Sequence, residues 1–269
     1  MSSGSSEIEE ARALTASTRA LIEQLKESGA DALPTTPKGE TRSTTTATTT
    51  QTTHDARRAT TTTAIAPTPI AARAPAATDE ERVTRLTVLR DQVSACVRCG
   101  LHAHRTQTVF SRGDELHAEL MFIGEGPGAE EDAQGLPFVG KSGQLLDKMI
   151  HAMGLDPREV YVANIVKCRP PDNRKPDPNE MATCIHYLHE QIAIVKPKVI
   201  VALGATAVEG LLKLTGISKL RGTWRLYKGE IPVMPTFHPA YLLRDPSKKR
   251  ETWEDLKLVM AKLGKPVAK

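Results

Sequence analysis

From Glu81 onward, short apolar runs alternate with amphipathic stretches. Val83–Val93 has helical spacing, and Ala118–Gly124 (AELMFIG) is a short apolar run closed by glycine, the pattern of a buried strand. Gly143–Met153 sets Leu145, Leu146, Met149 and Ile150 on one helical face, and Val160–Val166 (VYVANIV) reads as a second strand. Asn179–Val195 is a helix announced by Pro178; Lys198–Leu203 (KVIVAL) is a third strand and Ala205–Leu214 a further helix. Ile231–Phe237 (IPVMPTF) is a fourth strand, made imperfect by two prolines, and a last helix covers Arg250–Leu263. Strands that alternate with helices predict a three-layer α/β/α sandwich around a four-stranded, mostly parallel sheet. In such sheets the site lies beyond the carboxyl ends of the strands. A Gly124-Glu125-Gly126-Pro127-Gly128 run, Asn164 and His238 all fall at or near those ends.

The pattern is absent before Glu81. Residues 30–80 are mostly Thr, Ala and Pro with few large apolar side chains, so they cannot offset the entropy of ordering and read as a disordered linker. Its Thr-rich tract, 41–63, suits a tether. Upstream, residues 1–29 hold one short amphipathic pattern, with Leu14, Leu21 and Leu25 beside Ile8, Ala11, Thr18 and Ile22. It is either a marginal helix without a partner or a docking segment for a repair or replication protein. The globular domain is then 81–269, a comfortable single core and an expected monomer. Net charge is +4 and the pI about 8.8, compatible with nucleic acid without identifying it. No run reaches the roughly 18 apolar residues of a membrane span. The polar, acidic start lacks the pattern of a signal peptide, which leads us to expect the cytoplasm, where cysteines stay reduced.

The four cysteines of the chain stand at 96, 99, 168 and 184. Cys96-Val-Arg-Cys99 is a CxxC, open to a redox pair or half of a metal site. Cys168 follows the second strand and Cys184 lies in the next helix. Four thiolates suit Cys₄ zinc or an iron–sulfur cluster, and spacing does not separate the two. The glycine run lacks the ending of a Walker loop and the spacing of a dinucleotide site, so it is a tight turn or a backbone cradle for another ligand. Phe138, between Pro137 and Gly140 on a loop, is better placed to stack on a planar base than to fill a core. Asn164 is polar inside an apolar strand and offers both a donor and an acceptor. His102, His104, His186 and His189 have no such setting and read as structural; Glu130 and Asp132 read as solvated or structural.

Three stretches carry a specific resemblance: GEGPGAEEDAQGLPFVGKSGQLLDKMI, NIVKCRPPDNRKPDPNE and FHPAYLLR. Together they resemble the family 4 uracil-DNA glycosylases, the iron–sulfur type, over residues 85–265. The resemblance implies hydrolysis of the N-glycosidic bond of deoxyuridine in single- or double-stranded DNA, with release of uracil. It implies a [4Fe–4S] cluster on Cys96, Cys99, Cys168 and Cys184. It puts Gly124 and Gly126 against the flipped base and Glu125 at the sugar. It has Phe138 stack on uracil, Asn164 pair with the base edge, His238 face O2, and Glu131 stand near C5. Leu242 becomes a wedge entering the duplex, although plain packing would also explain it.

Charge development agrees: a donor at O2 stabilises the leaving uracil anion, and Glu125 can stabilise the sugar cation or orient water. Lys167, Arg169, Arg174, Lys175, Arg244, Lys248, Lys249 and Arg250 are the candidate phosphate contacts. Two other readings compete. One is a relative that binds or covalently traps uracil-DNA without turnover; the basic insertion such relatives carry before the histidine is absent here. The other is an iron–sulfur electron carrier, which would not need Phe138, Asn164 and His-Pro together.

Overall fold

A computed structural model describes residues 77–266. The amphipathic stretch and nearly all of the Thr/Ala/Pro-rich tract lie outside the described residues. Helix α1 (Asp79–Ser94) starts just ahead of Glu81, because Thr78 and Glu81 form a capping box: Glu81 N donates to Thr78 Oγ1 at 3.2 Å and Thr78 N to Glu81 Oε2 at 2.8 Å.

Along the chain follow β1 (Arg112–Gly113), β2 (Leu120–Gly124), α2 (Ala129–Gln134), α3 (Lys141–Ala152), β3 (Tyr161–Asn164), α4 (Pro178–Val195) and β4 (Val199–Leu203). Then come α5 (Gly204–Leu212), α6 (Ile217–Leu220), β5 (Arg225–Tyr227), β6 (Ile231–Thr236), α7 (Pro239–Arg244) and α8 (Lys249–Lys262). The strand order is β1-β3-β2-β4-β6-β5. The four strands expected from the apolar runs form the parallel centre. Two short antiparallel strands, β1 and β5, add an edge on either side, making six. Both are two or three residues long, too short for an alternation to show.

Residues of β2 alternate between two cores. Met121 and Ile123 face α1, α4 and α5 with Leu86, Leu188 and Val208, while Leu120 and Phe122 face α3 and α8 with Leu146, Ile150 and Leu256. This is the three-layer sandwich, and it explains why β2, β3 and β4 read as unbroken apolar runs. From β2 the chain steps to β3 on one side, then crosses to β4 on the other, so the sheet reverses direction at β2. A crevice opens at the carboxyl end of such a switch strand. Register puts Gly124 opposite Asn164 there. Among the described residues no helix is long and apolar enough to cross a membrane.

Candidate active site

A cavity of about 490 Å³ opens at that end, lined by Glu125, Gly126, Phe138, Asn164, His238 and Arg244 among others. Three separate stretches of sequence thus converge, each at the end of a parallel strand or just after one.

The first wall is built by glycines and strain. A Cβ on Gly124 would stand 2.5 Å from both Asn164 Oδ1 and Phe138 Cζ, so only glycine lets the two side chains meet. Phe138 has φ +58°, a left-handed conformation that costs an aromatic residue on the order of 1–3 kcal/mol. Gly143, in the first turn of α3, lies against the Phe138 backbone where any side chain would collide. The phenyl ring stacks on His238, with centroids 5.5 Å apart and planes at 30°. Contrary to the reading from its loop position, Phe138 is buried and belongs to a core cluster while also lining the cavity.

Glu131 holds this wall in place. Its Oε1 accepts from Val139 N at 3.0 Å and Gly140 N at 2.9 Å, and its Oε2 from Gly128 N at 3.1 Å. Three charge-assisted bonds to backbone occupy both oxygens and fasten the glycine run to the Phe138 loop. The side chain also lines the cavity, compatible with the expected place near C5 of a base, while its oxygens are committed to the loops.

Asn164 is only 2% exposed, and its Oδ1 has no hydrogen-bond partner. A buried acceptor left unpaired costs about 1–3 kcal/mol. The residue lines the cavity, while Oδ1 itself is packed beside Gly124 and Phe138 at the cavity wall, where the N–H of an entering ligand would complete it.

His238 caps α7. Ala240 N donates to His238 Nδ1 at 3.1 Å. That bond needs Nδ1 as an acceptor, so in the neutral ring the proton sits on Nε2. Burial, aided by the Arg244 charge and opposed by Glu131, pushes the imidazole down to about 4. His238 is therefore neutral above pH 5 and presents an Nε2–H donor. Beyond the glycine run, the Thr206 hydroxyl donates a short bond to Glu125 Oε2. Sequence reasoning missed Thr206; the available signal was a polar residue just after β4, at the site end of the sheet.

The cationic and wedge assignments change. Arg244 is exposed and lines the cavity; Lys175 is exposed, pairs with Glu209 at 2.7 Å and is not among the lining residues, although its neighbour Arg174 is. Arg174 lines the cavity with both guanidinium nitrogens on Glu180, at 2.9 and 2.8 Å. Lys167 is 1% exposed and meets no solvent, so it is not a phosphate contact. Leu242 is 1% exposed, on the inward face of α7 with Pro239, and is not presented to a duplex. Its neighbour Leu243, turned outward by the helix, is 45% exposed.

On the α1/α4 side of the sheet, all four cysteines are free and line a second, apolar cavity with Arg105, Lys167 and Tyr187. Arg105 Nη1 donates to Cys168 Sγ at 3.1 Å and to Cys96 O at 2.8 Å, so one guanidinium joins the two cysteine-bearing segments. Lys167 N donates to Cys184 Sγ at 3.3 Å. Free thiols around one cavity, with N–H donors aimed at their sulfurs, are the chemistry of a thiolate-bound metal group. Among the described residues, no three His, Cys, Asp or Glu side chains gather as they would around a single ion.

The model of the uracil DNA glycosylase superfamily matches residues 110–257. The chain is 45% identical over 175 residues to the type-4 uracil-DNA glycosylase of Thermotoga maritima, covering 64% of this chain and 91% of that one. It is 40% identical over 192 residues to the type-4 enzyme of Saccharolobus solfataricus, covering 68% and 88%. Over 184 residues it is 38% identical to the type-4 uracil-DNA glycosylase of Archaeoglobus fulgidus, covering 65% and 91%. A superfamily match over more than half the chain, and relatives aligned over most of their own length, place it: the chain belongs to the uracil DNA glycosylase superfamily, in its type-4 branch.

Proposed function

We propose that this chain is a DNA-repair glycosylase that hydrolyses the N-glycosidic bond of deoxyuridine in DNA, releasing uracil and leaving an abasic site. The observation that carries the reading is the buried amide of Asn164, its Oδ1 unpaired, in the wall of the cavity at the strand ends. Uracil N3–H completes that acceptor, and the amide N–H₂ can donate to O4. Cytosine offers no N3–H and presents an amino group where uracil has O4, so an amide held in this orientation mismatches it at both positions.

The remaining steps use groups already in place. A base taken out of the stack lies against the Phe138 ring. As the C1′–N1 bond breaks, its electron pair moves into the uracil ring and charge grows on O2. The neutral His238 donates its Nε2–H to that oxygen, stabilising the anion without protonating it first. Glu125, oriented by Thr206, stabilises the sugar cation and directs the water that adds at C1′; the proton this water loses passes to the carboxylate and balances the one the uracil anion takes up on release. Release of free uracil from a uracil-containing oligonucleotide tests the whole reading. Tight binding without release, on single and double strands alike, would reduce the chain to a uracil-DNA binder.

Cys96, Cys99, Cys168 and Cys184 would hold a [4Fe–4S] cluster. Such a cluster takes its thiolates on separate irons and so asks for sulfurs spread around a cavity. When bound it would act as a cross-link between the segment after α1, the segment after β3 and α4, with the four thiolates carrying its ligation. Purified chain should contain about four iron atoms. Cys168→Ser should lose iron and visible absorbance and melt at a lower temperature, because ligation contributes to folding. One zinc per chain and no iron would exclude the cluster while leaving the glycosylase reading intact.

The apolar wedge that holds a duplex open is assigned to Leu243. Leu243→Ala should slow excision from duplex by about fivefold or more, with single-strand excision nearly unchanged, since unstacking costs a few kcal/mol only in the duplex. Leu242→Ala should instead destabilise the fold by about 2–5 kcal/mol. Equal slowing of both substrates by Leu243→Ala would remove the wedge role.

A further inference from the structure

Between the two cavities lies one fully buried lysine. Lys167 follows Asn164 by three residues and precedes Cys168. Its Nζ donates to the Asn164 carbonyl at 2.9 Å and to Gln191 Oε1 at 2.6 Å. Its backbone N–H donates to Cys184 Sγ at 3.3 Å, and its carbonyl accepts from Val109 N at 2.8 Å. Gln191, on α4 and 0% exposed, is itself fixed by donating to Phe110 O at 3.1 Å and Tyr161 Oη at 2.8 Å. Nζ of Lys167 and both polar atoms of the Gln191 amide have partners, and the network ends on the main chain of the residue whose side-chain oxygen is left unpaired.

That contrast has a physical meaning. An orphan acceptor persists only where the backbone carrying it is kept from moving to a nearby donor. The parallel ladder holds Asn164 on the β2 side and continues through Ile165 N to Gly124 O at 3.0 Å and Val166 N to Glu125 O at 3.1 Å, while the Asn164 carbonyl itself is gripped by Lys167. We infer that Lys167 is a positioning residue: it fixes the Asn164 main chain from behind, with Gln191 and the cysteine segment as its anchors, so that the amide meets the base already aligned. Lys167 touches neither base nor sugar. The inference rests on the reading of Asn164 as the base-edge partner.

A double-mutant cycle on the full-length chain tests it. Lys167→Met, Asn164→Ala and the double variant are compared by single-turnover excision, by the affinity for free uracil, and by iron content. Lys167→Met should slow excision and weaken free-uracil binding by about tenfold each, with iron per chain unchanged. In the Asn164→Ala background the same change should cost nothing further, because its effect runs through the missing amide. If Lys167→Met does not fold, Lys167→Gln, which keeps an N–H donor, carries the same cycle with a smaller loss. Losses that multiply in the double variant, or a free-uracil affinity untouched by the Lys167 change, overturn the proposal and leave a merely structural lysine. Wild-type excision by Asn164→Ala would overturn the base-edge assignment itself, and this proposal with it.

Discussion

His238→Ala should slow the chemical step of uracil release by about a hundredfold or more, the scale of one preorganised donor at a developing oxyanion. Binding of undamaged DNA should be unchanged, since the half-buried ring lines the cavity, stacked on Phe138, rather than the outer surface. The charge state of the imidazole makes the prediction sharper. Ala240 N occupies Nδ1 and burial pushes the group down to about 4. A lowered pKa means that the neutral donor form is already complete at pH 6 and persists as pH falls, until protonation near 4. Single-turnover rates should therefore show no acid limb near 6.5 that belongs to His238. The same sign holds for stability: a histidine depressed in the folded state favours folding at and above its unfolded value of about 6.5 and loses that contribution as pH falls toward 4. A limb centred near 6.5 in the parent protein, absent from His238→Ala, would mean that an imidazolium acts instead.

Much of this site was legible in the sequence because parallel α/β folds put chemistry where apolar runs end. Asn164 and the glycine run close two such runs, and His238 follows a third; each could be placed from pattern alone. Side-chain employment was not legible. Glu131 was placed near a base only by resemblance, and its loop-fastening role was not read: the Gly128 N–H bond has capping spacing, but those from Val139 and Gly140 join it from across a second loop. Leu242 and Leu243 are adjacent and chemically identical. Only the rotation of α7, set by Pro239 packing inward, decides which one is buried. Lys167 looked like a phosphate contact in a basic stretch, and its burial depends on Gln191, 24 residues further on. The edge strands β1 and β5 are short and exist by pairing with β3 and β6, not by a pattern of their own.

Asn164→Ala should lower excision by about a hundredfold, near 3 kcal/mol, because two polar groups of the base edge would be left unpaired in a dry pocket. The loss should appear in free-uracil affinity as well as in rate, since the contacts exist before the bond breaks. Stability should go the other way. The wild-type side chain carries an unpaired buried acceptor, and alanine removes that liability at the expense of a small void, so the substrate-free variant should melt no lower than the parent. Packing residues behave oppositely: Leu146→Ala, in the core below the pocket, should lose stability first and activity only as the fold fails. A residue whose removal abolishes recognition while sparing the fold is held in its conformation for the ligand's sake. If Asn164→Ala melts several degrees lower and excises at the parental rate with its iron intact, the amide is a structural group and the pocket reads its base by other means.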